Sequence, residues 1–407
     1  MTDHPVRTRR VFYVPGYDPI PPRRYRELYR RESADQARIS GYEIALRPKK
    51  RGGTFGWQVE GQIDGQAVTA DIDVLIWSDI VRDSMANGII ATYAQLVRTA
   101  WAYIGTGALW RLMRLRQGPV IAALYPVLFL LVQAGLGLGL GYLAYWAITA
   151  LLPGFGIAAQ ALGGVLWLVI AWAVVEWFRR RDGKFFAYYL MHDYAFSARY
   201  LGANPPALEM RMADFADTIA EALQSDADEV LVVGHSSGAH LAVSILADLI
   251  RDGRVPADGP ALAFLSLGQV VPMVSFLPKA TRLRTDLRFL SARDELTWVD
   301  VTAPGDGCAF ALCDPVGVSG VAPEGKTWPL VFSAQFKNSL SEARWNELKR
   351  RYFRLHFQYL CAFDKPLDYD YFQITAGPVT LAKRYEGRPP SASRIEHAVS
   401  KYTSVDP

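Results

Sequence analysis

Cysteine is scarce in this chain, with three among 407 residues. Cys308, Cys313 and Cys361 cannot all pair, and neither a C-x-x-C nor a Cys/His spacing suited to zinc occurs. A disulfide framework and a zinc module are therefore excluded, the thiols are read as reduced in a cytosolic compartment, and no metal or other cofactor is expected. Histidine is scarce too: His4, His192, His235, His240, His356 and His397 are the whole supply of imidazole. The opening MTDHPVRTRRVFYVPGYDPIPP lacks an apolar core of secretory length before its prolines, so a cleaved signal peptide is not expected. GLGLGLG, residues 135–141, lacks the preceding strand and the G-x-G-x-x-G spacing of a phosphate loop. Net charge is only +4, with the basic residues gathered near the N-terminus at Arg7, Arg9, Arg10, Arg23, Arg24, Arg26, Arg30, Arg31, Lys49, Lys50 and Arg51. That cluster reads first as solvated surface, next as a contact for anionic lipid; nucleic acid is not an expected partner.

What the chain has in abundance is apolar length. From Gln117 to Val175, 59 consecutive residues contain no Asp, Glu, Lys or Arg. About 20 apolar residues cross a bilayer core, so this stretch crosses twice, and LLPGFG (151–156) supplies the reversal. The spans are placed at 121–150 and 157–178, with Trp146, Tyr142, Trp172 and Trp177 suited to headgroup depth. Arg111, Arg114 and Arg116 precede the hairpin, and Arg179, Arg180, Arg181 and Lys184 follow it. By the positive-inside bias both flanks, both termini and everything outside the hairpin face the cytosol, which places the protein in the inner (cytoplasmic) membrane. Gly135 and Gly139, like Gly137 and Gly141, recur four apart, which allows close approach of the second span or of a second copy of the chain. The flanking segments 88–115 and 184–203, rich in Trp and Tyr, suit an interfacial collar.

A serine carries the chemistry. DEVLVVG (228–234) reads as a strand buried on both faces, and SGAHLAVSILADLIRDG (237–253) as a helix stopped at Gly253, so Ser236 sits on a strand-to-helix turn. Gly234 and Gly238 have no Cβ to obstruct a tight reversal, which leaves the hydroxyl presented at the tip. Gly234-His235-Ser236-Ser237-Gly238 resembles the nucleophile elbow of the α/β-hydrolase superfamily, in the G-H-S-x-G form common among lipases and esterases. The resemblance implies a mostly parallel α/β sheet with helices on both faces and the order nucleophile, acid, base. Its specific motif support lies at the elbow, and it covers residues 10–20 and 208–380.

A serine needs a base, and the implied order selects His356: His4 and His397 lie in tails, His192 precedes the serine, His235 is fixed in the elbow, and His240 points away along the following helix. The acid should follow a strand within LTWVDVTAPGDGCAF (296–310). Asp306, in the glycine-flanked loop, reaches the sheet edge better than Asp300 inside the strand; Asp294 and Asp314 remain alternatives. For the oxyanion, one donor is the amide of Ser237, and the other falls to Gly16 or Tyr17 in the loop after Val11–Val14, although the usual HG signature is missing.

The expected organisation is an α/β domain in two parts, 1–115 and 182–407, interrupted by the hairpin at 116–181, whereas insertions in such domains usually follow the elbow. ALAFLSLGQVV (261–271), WPLVFSAQF (328–336) and runs within 42–77 supply further strands, and MADFADTIAEALQS (212–225) a helix. The expected function is a membrane-anchored serine hydrolase cleaving an ester, thioester or amide, with lipid bilayer and a lipidic substrate as partners. Alternatives are an acyltransferase using the same triad and a non-catalytic membrane scaffold.

Overall fold

The computed structural model describes residues 5–49, 53–85 and 88–406; His4, Lys50 and Arg51 lie outside them. Eight strands form one sheet: β1 (Thr8–Val14), β2 (Glu43–Arg47), β3 (Gly56–Ile63), β4 (Gln66–Val74), β5 (Glu229–His235), β6 (Ala261–Leu267), β7 (Leu296–Thr302) and β8 (Leu330–Ser333). Their order is β2-β3-β4-β1-β5-β6-β7-β8. From β4 to β8 neighbouring strands run parallel, whereas β2–β3 and β3–β4 are antiparallel. The sheet is therefore mixed, where a mostly parallel one was expected, the antiparallel pairs lying at its 43–63 end. The cause is local: Asp64 and Gly65, at φ 52° and 73°, close a two-residue turn that pairs Ile63 with Gln66. That is the backbone of a type I′ hairpin, which reverses a strand where a parallel neighbour would need a crossover.

Alternation along the central strands buries both faces. Val11, Tyr13, Leu231 and Val233 pack into one core layer with the C-terminal segment. Phe12, Val14, Val230 and Val232 pack into the other, against the helices Pro206–Leu223 and Gly238–Arg251. Both layers are continuous with strands from the two halves of the chain, so the hairpin interrupts one folded body.

The hairpin consists of helices Gln117–Leu151 and Ile157–Arg179, joined by a tight turn at Pro153–Phe155 with Gly156 at φ 49°. Both are long and apolar enough to cross a membrane, and only 28% and 11% of their most apolar stretches are buried, unlike the core helices of a soluble protein. At 1.5 Å per residue the first is about 52 Å long, well beyond a hydrocarbon core of about 30 Å. Its excess lies at the start, where Pro119 and Val120 are buried against the α/β body. Gly137 and Gly141 admit the second helix: a Cβ there would meet the Ala171 and Trp167 backbone carbonyls at 2.8 and 2.5 Å. Gly135 and Gly139 face open space.

The N-terminal basic cluster is largely neutralised. Arg9 is buried on Glu229 at 2.6 Å and donates to the Gly377 carbonyl, Arg10 and Lys49 pair with Asp73, and Arg24 pairs with Asp18. Arg30 and Arg31 pair with Glu27 and Glu32. These pairings leave less of a basic patch for lipid than the sequence suggests.

Candidate active site

Ser236 stands between β5 and the helix Gly238–Arg251 with φ 57°, in the left-handed region that a non-glycine residue occupies at a cost. Close packing imposes that turn. A Cβ on Gly238 would lie 2.0 Å from the Val14 carbonyl oxygen, and one on Gly234 would lie 2.7 Å from the Ala239 Cα. Backbone therefore fills the space a side chain would need at both ends of the elbow. Gly238→Ala should destabilise the protein by about 3 kcal/mol or prevent folding. A thermal melt followed by tryptophan fluorescence in detergent tests this, and an unchanged midpoint would show that the β1 loop yields.

Of the six sequence-selected residues, the structure gathers all at the carboxyl ends of the parallel strands. The Ser236 amide donates to the Leu267 carbonyl at the end of β6. The next residue, Gly268, lies under His356, whose Cε1 would be 3.1 Å from a Cβ there. His356 ends the short helix Tyr352–His356 and bonds through Nδ1 to Asp306 Oδ2 at 2.7 Å. A carboxylate only accepts, so Nδ1 is the donor, and in the neutral ring the lone pair sits on Nε2. Ser236 is half-buried, and among the described residues its hydroxyl makes no hydrogen bond, to His356 or any other group. Contacts of this kind often tighten only when substrate binds.

Asp306 is the best-supported carboxylate. It also accepts from the Cys308 amide at 2.9 Å and the Tyr359 hydroxyl at 3.0 Å. Burial by itself would raise its pKa, but His356 and these donors hold it below the ordinary carboxylate value. The alternatives are engaged elsewhere: Asp314 caps Pro315–Val318 and pairs with Lys326, and Asp294 is exposed. Asp300 lies inside β7, accepts from Ser266 at 2.5 Å, and is pushed by burial up to about 8.

Asp300 has a consequence for stability. Its folded pKa lies above the unfolded value, so the folded state holds a proton the unfolded chain has lost between about pH 4 and pH 8. Stability should then fall as pH rises through that window, by up to about 1.4 kcal/mol per pH unit from this group. Melts between pH 5 and pH 8 should show a decline that Asp300→Asn flattens; equal slopes would remove Asp300 as its source.

The loop after β1 brings Gly16 over the elbow, with Ser236 Cβ 3.0 Å from where its Cβ would stand. Its carbonyls are held from outside: Trp77 donates to Pro15 O at 2.9 Å and Tyr189 to Tyr17 O at 2.6 Å. The amides of Gly16, Tyr17 and Ser237 donate to no other group among the described residues. These three N–H groups are thus uncommitted within the described residues.

Sequence reasoning missed several neighbours. The His235 imidazole is itself part of the site, donating from Nε2 to the His356 carbonyl at 3.0 Å; burial and His356 push its pKa down to about 3, so it stays neutral. Tyr359 and Cys308 buttress Asp306, and neither belongs to a recognisable pattern. His192 bonds Gln95 and is not in the cluster. Asp306, Cys308 and His356 offer ligand atoms within 4.8 Å of one another. Two of those atoms already share a hydrogen bond, and burial raises the Cys308 thiol well above its usual range, so the trio suits an acid–base pair better than a metal. A cleft of about 770 Å³ beside β7 and β8 is lined by Asp294 but by none of Ser236, Asp306 and His356.

Both ends of the hairpin stand on this cluster. Gly118, at the start of the first helix, faces Gly307 with its would-be Cβ 3.3 Å from the Gly307 Cα, and Arg116 donates to the Ala311 carbonyl at 2.8 Å. After the second helix, Phe186 and Tyr189 pack on Phe353, in the helix that carries His356, at ring separations of 5.7 and 6.5 Å. Comparison with known proteins adds nothing to this geometry: no family model, no curated protein and no solved structure matches the chain.

Proposed function

We propose that the protein is a membrane-anchored serine hydrolase related to the α/β-hydrolase superfamily, acting on the acyl bond of a lipidic substrate. The observation that carries this reading is the strained Ser236 elbow beside the Asp306–His356 pair, with Nε2 of His356 left as the base. In the reaction, Ser236 Oγ attacks the acyl carbon as His356 Nε2 takes its proton, and the amides of Ser237 and of Gly16 or Tyr17 receive the oxyanion. Collapse of the adduct expels the leaving group with the proton from His356. Water, deprotonated by the same nitrogen, then releases the acyl group and frees Ser236. Asp306 holds the tautomer and offsets the imidazolium charge.

The lipidic substrate is supported by position. The hairpin bases flank the acid and base loops, so a bilayer around the hairpin lies next to the site. The segment before the hairpin also presents Ile90, Val97, Trp101, Ile104 and Trp110 outward, between 52% and 76% exposed, with Arg98 and Arg114 among them. Such a face suits the interfacial zone. Full-length protein in detergent should react with a fluorophosphonate probe at one serine; no labelling at any concentration would end the hydrolase reading.

A further inference from the structure

Six aromatic rings join the hairpin to the candidate site. Phe129, on the first hairpin helix, lies 5.6 Å from Phe178 on the second and 5.0 Å from Phe185 just beyond it. The chain then bends at Phe186, whose φ of 56° is costly for a bulky residue, and this ring packs on Tyr189 and Phe353 at 6.4 and 5.7 Å. Tyr189 in turn lies 6.4 Å from Tyr17, in the loop over Ser236. Phe353 stands three residues before His356 in one short helix, a spacing that puts both on the same side. Two groups of rings, joined at the consecutive residues Phe185 and Phe186, thus lead from the apolar helices to the oxyanion loop and the base.

None of these six rings is buried: Phe186 is 45% and Phe353 38% exposed, and the other four are half-buried. Contiguous exposed apolar surface of this kind marks a contact for lipid or ligand. A bilayer around the two helices would cover Phe129 and Phe178, whereas Phe186, Tyr189 and Phe353 stand at the segments that hold Tyr17 and His356. An acyl chain whose carbonyl sits at Ser236 has to lie against something, and each methylene held in water carries a cost that apolar contact removes. The rings offer that contact from the scissile bond to the hairpin.

We propose, resting on the hydrolase reading above, that this aromatic track receives the acyl chain of the substrate, whose far end stays at the hairpin. The substrate class is then an ester, thioester or amide of a long-chain fatty acid, with chain length read by how many of the rings it covers. Phe186, Tyr189 and Phe353 contact the carbons next to the carbonyl, and Phe129, Phe178 and Phe185 the distal chain. None of these side chains bonds to the reacting atoms; they select and position.

The test anchors a chain on Ser236. Ethyl hexadecylphosphonofluoridates form a bond from Ser236 Oγ to phosphorus and release fluoride, and a diazirine on the chain, near the phosphorus in one reagent and near the far end in another, marks what the chain touches. With full-length protein in lipid nanodiscs, irradiation and peptide mass spectrometry should place the near-phosphorus crosslinks at 186–189 or Phe353, and the far-end crosslinks at Phe129 or 178–185. Far-end crosslinks confined to other parts of the α/β body overturn the inference, while labelling of Ser236 keeps the hydrolase reading standing. No labelling of Ser236 takes both down together. Turnover gives a second readout: in mixed micelles wild type should favour a hexadecanoyl over a butanoyl ester of the same alcohol by about 10-fold or more in kcat/KM. Phe185→Gln should cut that ratio by about fivefold or more while butanoyl turnover stays within about twofold. A wild-type ratio near one, or a ratio unchanged in the variant, also overturns the inference.

Discussion

Alanine at Ser236 should leave the protein folded in membranes and lower ester hydrolysis on the order of 10⁴-fold or more, because the hydroxyl is the only group in the reading that bonds to the acyl carbon. Fluorophosphonate labelling should vanish with it. Persistent labelling of Ser236→Ala would transfer the nucleophile to another residue. The backbone makes a second, opposite expectation. With φ at 57°, residue 236 is strained for any side chain, and glycine relieves the strain. Ser236→Gly should therefore be as inactive as the alanine variant yet melt higher, by the equivalent of about 1 kcal/mol. A glycine variant that melts lower would mean that the elbow is held by the serine side chain instead of by the packing of Gly234 and Gly238.

Asp306→Asn should cost a comparable factor, about 10⁴-fold in kcat, while leaving the melt close to wild type. The reason lies in its donors. Oδ2 accepts from both His356 Nδ1 and the Tyr359 hydroxyl, and Oδ1 from the Cys308 amide. An amide nitrogen in place of either oxygen faces a donor. If it faces the imidazole, His356 turns to the tautomer with its proton on Nε2, and the base is lost. Steady-state hydrolysis compared with Asp300→Asn makes the measurement specific: Asp300 is bonded to Ser266 away from the cluster, so its variant should retain turnover. Equal losses in the two variants would deny Asp306 its orienting part.

The two long-range features of greatest weight were legible because each has a local cause. A charge-free run dictates the hairpin, and Gly234 and Gly238 dictate the elbow, since backbone occupies the space their side chains would need. The reversal at Asp64-Gly65 is legible in principle, as a two-residue Asp-Gly turn is a hairpin signal, but without it the runs within 42–77 read only as further strands of a mostly parallel sheet, with no pairing direction. Other features have no local signature. Arg9 meets Glu229 across 220 positions of sequence, so its burial could not be inferred from the basic cluster around it. Tyr359 and Cys308 join the site only because segments distant in sequence converge, and His235, fixed by its elbow position, gave no hint that its ring would support the His356 carbonyl.

The contacts at Gly118–Gly307 and Phe186–Phe353 bear on how this protein can be handled. Solubilising it by excising 117–179 would remove Gly118 from the Gly307 loop beside the carboxylate, and would cut the chain just ahead of Phe186, which packs on the helix carrying the imidazole. A water-soluble derivative would have to keep the lowest turns of each helix and graft a polar cap above them. Detergents, too, should be chosen for a thin, gentle belt, since a micelle that prises those turns apart would silence the chemistry while the sheet beneath stays intact.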